Sequence, residues 1–363
     1  MDRFIQLHLL TAYPPANLNR DDLNRPKSTI FGGHPRLRVS SQSLKRAWRT
    51  SEVFQETLSG HMGQRTKRIG YQAYQKLVER GVKPGDARLW AWQIARQFGR
   101  SKTTEERDVR EAADDLQAKE LDALLQTEQL VHVGADELRA IDNLTATLAG
   151  RGSDPTEEEL ELLREKPGAV DIALFGRMLA ANPAFNQEAA AQVAHAISVN
   201  AVQVEDDFFT AVDDLNPGTE DVGAGHMGEV EFGAGVFYLY VCVDRHLLIG
   251  NLSDDEDLAK RSLRALVRAA ATVAPRGKQA TFASRAYASY VMAESGNQQP
   301  RSLADAYLDP VRANPFLENS IKALEERVSK MDSVYGPCAD RRASLNTVAG
   351  TGSMEEILRF VAE

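Results

Sequence analysis

Residues 19–49 read NRDDLNRPKSTIFGGHPRLRVSSQSLKRAWR, and the fold is predicted outward from this segment. In residues 36–39 arginines alternate with apolar side chains, which is the period-two pattern of a strand. Ser40 or Ser41 follows, and serine is a preferred residue at a helix N-terminus. Apolar side chains then recur at helical spacing as far as Leu58, so we predict a helix that packs against a sheet.

Strand and helix patterns alternate along the rest of the chain. Apolar runs and period-two patterns predict strands at residues 4–12, 170–174, 230–243 and 282–292. Helical patterns, with no convincing strand inside the first of them, are predicted at residues 66–166, 186–196, 254–274, 314–330 and 353–362. Without insertions the order is strand, helix, strand, strand, helix, strand, which is the ferredoxin-like arrangement of RNA-recognition domains. The predicted fold class is therefore α/β, of the α+β type.

The bulk composition predicts a soluble globular chain. Its 363 residues are 43% hydrophobic and 26% charged, which supplies a core and argues against wholesale disorder. Cys242 and Cys338 form no close pair, so neither a disulfide framework nor a cysteine zinc site is expected. The N-terminus lacks the apolar region of a secretory signal, and no apolar run is long enough to span a membrane. We therefore predict a cytoplasmic protein without a cofactor or a membrane partner.

Positive charge is concentrated at the start of an otherwise acidic chain. The net charge is −9, but residues 1–68 carry +7 and the remainder carries −16. Such asymmetry predicts a local basic patch. Residues 101–166 hold 8 basic and 18 acidic side chains, and a surface of that sign repels phosphate. The helical block is therefore not expected to bind nucleic acid.

Residues 19–49 combine the features that recognition of a phosphate backbone needs. Gly32 and Gly33 would allow a ligand to approach the main chain closely. The serines at the predicted helix start lie where N–H groups and the helix dipole favour an anion. The polar and basic candidates in this segment are Asn19, Arg20, Arg25, Lys27, Arg36, Arg38, Ser40, Ser41, Gln42, Ser43, Lys45, Arg46 and Arg49. Contacts of this kind fix register and affinity but read no base sequence.

Alternative interpretations remain open for these residues. Each of them alone also fits a solvated basic face whose serines only cap a helix. Arg276 and Lys278, in the loop before the last predicted strand, either extend the basic patch or belong to a solvated turn. Met178 follows a predicted strand beside Gly176 and Arg177, where a flexible apolar side chain serves either as a wedge between bases or as a core residue.

Several segments resemble the CasC family, whose members are the repeated backbone subunit of the type I-E CRISPR Cascade complex. The most specific are NRDD at residues 19–22, FGG at residues 31–33 and RVSSQSLKR at residues 38–46. The similarity continues in order through VDIALFGRM at 170–178, HAI at 195–197, FTAVDD at 209–214 and GVFY at 235–238. It spans most of the chain, although residues 60–166 match no motif of the family.

The resemblance implies an RRM-like palm, a large helical fingers insertion and a β-hairpin thumb. By position the palm would comprise residues 1–60, 169–197 and 229–363, the fingers 61–168 and the thumb 198–228. Copies would stack head to tail as a helical filament along the CRISPR RNA. Each would displace one base and leave the others free to pair with target DNA. The large, small, head and foot subunits of Cascade are the other implied partners.

The resemblance also implies roles for individual residues. Guide phosphates would be held by Asn19, Arg20, Lys27, Ser40, Gln42, Lys45 and Arg49, and Met178 would lie beside the displaced base. With Arg38, Arg46 and Lys278 these residues make up the predicted RNA-binding set. In relatives the fingers help to guide DNA, and the acidic charge here shifts attention to Arg65, Lys67 and Arg68. No catalytic and no metal-binding residue is implied.

Other functions are weaker predictions. GAGHMG at residues 223–228 matches G-x-G-x-x-G, but a polar loop precedes it and a strand follows, unlike a dinucleotide site. The alternative function is a metal-dependent ribonuclease centred on Asp213, Asp214 and His226, although adjacent aspartates on a strand point to opposite faces. The other histidines lack metal-ligand spacing. A protein-interaction module without nucleic acid is a third possibility.

Overall fold

The computed structural model describes residues 2–103, 105–112, 116–211 and 226–363. Its strands are β1 (Phe4–Ala16), β2 (Ser28–Phe31), β3 (His34–Val39), β4 (Gln64–Thr66), β5 (Val131–Val133), β6 (Ala191–Val193), β7 (Ala196–Ser198), β8 (Glu205–Ala211), β9 (His226–Asp244), β10 (Ala288–Gly296) and β11 (Arg341–Asn346). Its helices are α1 (Ser41–Arg49), α2 (Glu52–Thr57), α3 (Ile69–Glu79), α4 (Pro84–Phe98), α5 (Glu106–Arg110), α6 (Ala118–Leu125), α7 (Ala135–Arg151), α8 (Val170–Phe175), α9 (Arg245–Asn251), α10 (Glu256–Thr272), α11 (Gln279–Phe282), α12 (Phe316–Tyr335) and α13 (Met354–Ala362). The chain divides into two compact units. The first unit comprises Met1–Thr57, Ala191–Arg245 and Lys260–Glu363. The second unit comprises Leu58–Ala190 and His246–Ala259.

The first unit is built on one large antiparallel sheet. Its strand order is β11-β10-β1-β9-β7-β3-β2, and β6 and β8 also pair with β9. Leu9 on β1 faces Val291 on one side and Leu239 on the other, so β1 is a central strand. Ile5, Leu7 and Leu9 alternate along β1 and are fully buried, as the period-two pattern predicts for one face of a sheet. The predicted strands at residues 4–12 and 230–243 are therefore confirmed.

A two-residue glycine turn joins β2 to β3. Gly32 and Gly33 have φ values of 59° and 76°, and positive φ at both central positions defines the type I′ turn that suits a hairpin. A Cβ atom on Gly32 would lie 1.7 Å from the carbonyl oxygen of Leu308. The predicted role of Gly32 in close ligand approach is therefore wrong, because the protein's own backbone fills that space.

One face of the large sheet is closed by helix α12 and the segment before it. Tyr238 on β9 and Tyr290 on β10 are each 2% exposed, and they pack in one cluster with Leu303, Tyr307 and Leu324. Burying a large side chain stabilises the fold by roughly 1.5–3 kcal/mol, so these aromatic residues belong to the core. RNA-recognition domains stack bases on aromatic side chains of an open sheet. In this protein a helix of the same chain occupies the face that carries Tyr238 and Tyr290.

A buried ionic network lies on the same face. The carboxylate of Glu294 is fully buried and accepts a hydrogen bond from Arg342 Nε at 2.6 Å. Its other oxygen is 3.1 Å from Nε2 of His8, whose Nδ1 lies 2.8 Å from the Tyr238 hydroxyl. Burial opposes ionisation, but hydrogen bonds from His8 and Arg301 outweigh it and hold the pKa of the Glu294 carboxyl well below its usual range. Pairing of this kind is what makes a buried charge tolerable.

Several predicted elements of the fold differ from the structure. Residues 170–174 form helix α8 instead of a strand, because a short run in which every side chain is buried fits both structures. Residues 186–196 are not helical, since Ala191–Val193 pairs with β9 and this pairing overrides the helix propensity of alanine. The last predicted strand, residues 282–292, begins six residues later in the structure, as β10 (Ala288–Gly296). Strand β11 escapes prediction because exposed arginines interrupt its pattern.

The second unit is mainly helical. Helices α3, α4 and α7 enclose a core in which Trp90, Trp92 and Phe98 are at most 2% exposed. These helices confirm the helical prediction, whereas residues 156–166 contain no helix and β5 pairs with β4 in a small antiparallel sheet. Within the described ranges, no helix combines the length and the apolar character needed to cross a membrane.

Candidate nucleic-acid interface

Helix α1 begins at a serine cap that is tied to the preceding loop. Ser40 Oγ accepts from the backbone N–H of Ser43 at 3.3 Å, and the side-chain oxygen of Asn19 accepts from the N–H of Ser40 at 2.9 Å. The carbonyl oxygen of Asn19 also accepts from the N–H of Lys27 at 2.8 Å. The predicted cap is confirmed, and Asn19 and Ser40 position the loop against the helix. Their contacts with phosphate stay a prediction.

The loop at residues 19–27 is held by its own hydrogen bonds. Asp21 Oδ1 accepts from two backbone N–H groups of the loop, each at 2.9 Å. The buried side chain of Asn17 donates to the carbonyl oxygens of Asn24 and Glu231 at 3.0 and 2.9 Å. A preformed loop has less conformational freedom to lose when it binds a ligand. The loop therefore offers its side chains from a fixed position.

A cleft of about 580 Å³ lies between this loop, helix α1 and residues 276–277. We call it the basic cleft, because Arg20, Arg46 and Arg276 line it. Arg20 and Arg46 are exposed, and Arg276 Nη2 donates to the carbonyl oxygen of Thr50 at 2.9 Å. Asp21 also lines the cleft, but its Oδ1 is occupied by the loop N–H groups. The cleft thus presents three guanidinium groups, which suit the oxygen atoms of phosphate.

Residues 276–278 approach the loop very closely. A Cβ atom on Gly277 would lie 2.3 Å from the carbonyl oxygen of Leu18, so any larger residue would push the two segments apart. Lys278 has φ 49° and precedes helix α11. Of the two cations predicted to extend the basic patch, Arg276 lines the basic cleft. RNA binding by the half-buried Lys278 stays a prediction.

The remaining candidates on helix α1 differ in exposure. Gln42 is exposed at the first turn, and Arg46 is exposed further along the helix. Lys45 and Arg49 are half-buried, and burial lowers the pKa of the Lys45 ammonium. Arg46 and Arg49 lie in the last turn, where cations also stabilise the helix dipole. Arg46 is therefore the helix residue best placed to meet a large ligand.

The two arginines of β3 lie in different environments. Arg36 is fully buried, and its guanidinium donates to the carbonyl oxygens of Ser198 at 3.1 Å and Tyr307 at 2.7 Å. It is a structural residue, so the prediction that it shares a phosphate-binding face with Arg38 is wrong. Arg38 is half-exposed and its Nη1 lies 2.7 Å from Nδ1 of His195, a contact that sequence patterns do not reveal.

Met178 belongs to the second unit and follows helix α8. Gly176, with φ 80°, ends that helix. Arg177 is buried, and its guanidinium donates to Glu137 at 2.7 Å and to the Phe185 carbonyl oxygen at 3.0 Å. The next side chain, Met178, is 82% exposed. The alternative that Met178 is a core residue is therefore wrong, and a rigid support holds an exposed apolar side chain.

Two of the cations predicted to guide DNA have partners within the second unit. Lys67 Nζ donates to the Glu128 carbonyl oxygen at 2.7 Å. Arg68 forms an ion pair with Asp122 at 2.8 Å. Arg65 is exposed on β4. Contact of these residues with DNA stays a prediction. Arg65 is the best candidate for it, because its side chain is exposed on β4.

The residues of the alternative ribonuclease centre are described only in part. Asp213 and Asp214 lie outside the described residues, as do residues 212–225 of the predicted thumb and the first half of the glycine motif. Strand β9 begins at His226, so a strand rather than a helix follows that motif. Strands β8 and β9 lie on either side of residues 212–225 along the chain. They pair in an antiparallel ladder, in which Glu205 lies opposite Phe232 and Ala211 lies opposite His226. Among the described residues, no group of three or more histidine, cysteine or acidic side chains could hold a metal ion.

Two solved structures share this fold over nearly the whole chain. One is described as "CRISPR RNA-guided surveillance complex, pre-nicking"; it is 30% identical, with a TM-score of 0.79. The other is described as "CRISPR RNA-guided surveillance complex"; it is 25% identical, with a TM-score of 0.69. In each comparison 99% of this chain and 99% of the other chain are covered. The fold is therefore one that occurs in chains of CRISPR RNA-guided surveillance complexes.

The model of the Cas_CT1975 family, described as CT1975-like protein, matches residues 5–358. The chain belongs to this family. This match, together with the two structures, confirms the resemblance to the CasC family. A comparison with curated proteins gave no significant match.

Proposed function

We propose that this protein is a non-catalytic, guide-RNA-binding backbone subunit of a type I-E CRISPR Cascade complex. The observation that carries the proposal is the basic cleft, which gathers Arg20, Arg46 and Arg276 in a chain of net charge −9. Membership of the Cas_CT1975 family and the likeness to chains of surveillance complexes support it. Cations on a preformed surface bind the phosphate backbone without reading bases. The bases of the guide then stay available for pairing with target DNA.

The proposed architecture is an RRM-like palm with helical fingers and a hairpin thumb. The palm would comprise residues 1–60, 169–197 and 229–363, the fingers 61–168 and the thumb 198–228. In support of the palm, β1, α1, β7, β9, α10 and β10 follow one another along the chain. Their strands are neighbours in the order β10-β1-β9-β7. This succession supports the ferredoxin-like pattern. Helix α12 would then cover the face on which an RNA-recognition domain stacks bases.

Copies of the subunit would bind one guide RNA head to tail. Contacts between unlike surfaces that do not close into a ring produce a helical filament. The length of the RNA then determines how many copies bind. Native mass spectrometry of complexes assembled on guides with a short and a lengthened spacer tests this directly. We expect the longer spacer to carry more copies, and an unchanged copy number would contradict the filament.

The RNA-binding function is tested by purifying the protein from cells that express a guide RNA. We expect an absorbance ratio at 260 and 280 nm typical of a ribonucleoprotein, and extracted RNA that matches the guide. Incubation with labelled RNA and Mg²⁺ or Mn²⁺ distinguishes the non-catalytic subunit from the alternative, a metal-dependent ribonuclease. Cleavage that Asp213→Ala abolishes would overturn the non-catalytic assignment. Protein free of RNA would favour the protein-interaction module.

Met178 is proposed to lie beside the displaced base of the guide. Because its side chain is 82% exposed, we expect Met178→Ala to change the free energy of unfolding by less than about 0.5 kcal/mol. A wedge that separates bases should nevertheless be lost. Guides that carry 2-aminopurine at successive positions report unstacking as fluorescence. We expect the bright position to dim in Met178→Ala and to recover in Met178→Leu, whereas equal brightness in all three proteins would refute the wedge.

A further inference from the structure

Three basic residues lie close together at the ends of three short strands of the sheet. Lys27 directly precedes β2, Arg38 lies on β3, and His195 directly precedes β7. The N–H of Arg38 donates to the carbonyl oxygen of Lys27 at 2.8 Å, and Arg38 pairs with Ile197 across the ladder. Arg38 Nη1 lies 2.7 Å from Nδ1 of His195. Backbone hydrogen bonds and the contact between Arg38 and His195 therefore hold the three residues close together, beside the loop that borders the basic cleft.

The contact with Arg38 determines the protonation state of His195. A guanidinium only donates, so Nδ1 of His195 must accept and its proton must be on Nε2. Partial burial, reinforced by the positive charges of Arg38 and Lys27, lowers the pKa of the His195 imidazole and so favours its neutral form. His195 is nevertheless an exposed residue. Its Nε2–H is thus a hydrogen-bond donor next to two cations.

We infer that His195 is a further RNA-binding residue of this protein. Through Nδ1 it positions the guanidinium of Arg38, and through Nε2–H it donates to an oxygen of the phosphate that Arg38 and Lys27 attract. The inference rests on the proposed function and adds a neutral donor beside two cations, Arg38 and Lys27. A histidine with only a structural role would affect RNA binding solely through Arg38.

The test compares His195→Ala and His195→Gln with the wild-type protein at pH 8, using fluorescence anisotropy of a fluorescein-labelled, unstructured single-stranded RNA. We expect about a 10-fold loss of affinity in His195→Ala, the size typical of a hydrogen bond to a charged group. Glutamine can accept from Arg38 and donate to phosphate, so His195→Gln should recover most of the affinity. Because a neutral group is removed, the dependence of affinity on salt should not change. Arg38→Ala should instead lower the slope of that dependence by about 0.7.

The control is His246→Ala, which removes an exposed histidine from a different part of the chain and should bind as wild type does. Equal affinity of His195→Ala and wild type would overturn the inference while leaving the proposed function intact. A reduced salt slope in His195→Ala would also overturn it, because the effect would then come from a lost cation, either the histidine itself or a displaced Arg38. Failure of the wild-type protein to bind RNA would instead overturn the proposed function.

Discussion

Arg20→Glu combined with Arg46→Glu is expected to lower the affinity for single-stranded guide RNA by at least about 100-fold near physiological salt. Both side chains line the basic cleft and both are exposed. The double change replaces two attractive charges by two repulsive ones at the same place. Exposed positions tolerate substitution, so the fold should be retained. Anisotropy with labelled RNA measures the affinity, and co-purification of guide RNA from cells gives an independent reading.

The matched control changes the same charge elsewhere on the first unit. Lys322 and Lys330 lie on α12 with side chains 74% and 71% exposed, and each pairs with Glu326 of the same helix, four residues away. Lys322→Glu with Lys330→Glu should weaken binding only by the small effect of net charge. Equal losses in the two double variants would show that binding is non-specific and that the basic cleft is not the site. Lys45 and Arg49 make poorer test positions, because they are half-buried and their replacement would also disturb the fold.

Arg177→Met is expected to destabilise the second unit by about 3–5 kcal/mol. The side chains of Arg177 and Glu137 are both 0% exposed, and their ion pair is 2.7 Å long. Removing the guanidinium leaves the Glu137 carboxylate buried without its cation. It also leaves the carbonyl oxygens of Arg164 and Phe185 without a donor. Urea unfolding followed by tryptophan fluorescence measures the loss, since Trp90 and Trp92 lie in this unit.

Two further variants test the physical reason for this loss. Arg177→Met with Glu137→Leu removes both charges and should recover a large part of the stability, because no uncompensated charge remains buried. Arg139→Met breaks another arginine–carboxylate pair, with Asp136, but there the arginine side chain is 67% exposed. The Arg139→Met change should lower the free energy of unfolding by less than about 1 kcal/mol. Similar costs for Arg139→Met and Arg177→Met would contradict the account.

The central strands of the fold are predictable from sequence because their side-chain pattern matches their burial. Residues 4–12 and 230–243 become β1 and β9, in which apolar side chains are buried on both faces of a central sheet position. The short strands are not predictable, since Ala191–Val193 pairs with β9 through tertiary contacts that local propensity does not encode. Likewise residues 170–174 are buried all round, which hides the difference between a strand and a helix.

The candidate site was predictable as a segment but not as a surface. The serine cap and the exposed Arg20 and Arg46 follow from local pattern and composition. Arg36 and Arg38 look equivalent in sequence, yet carbonyl oxygens from two distant segments bind Arg36 in the interior. Arg276 joins the basic cleft, and His195 meets Arg38, only because the sheet and its loops bring distant residues together. Contacts between residues so far apart leave no trace in the spacing of a single sequence.

Under the proposed function, the closed sheet face has a consequence for which guide RNAs the protein accepts. Tyr238 and Tyr290 are committed to the core beneath α12, so neither ring is available as a platform on which a base could stack. Under the proposed function, the subunit therefore accepts any spacer sequence with similar affinity. A new target would then require only a new guide RNA, and the amino-acid sequence of the subunit would not have to change.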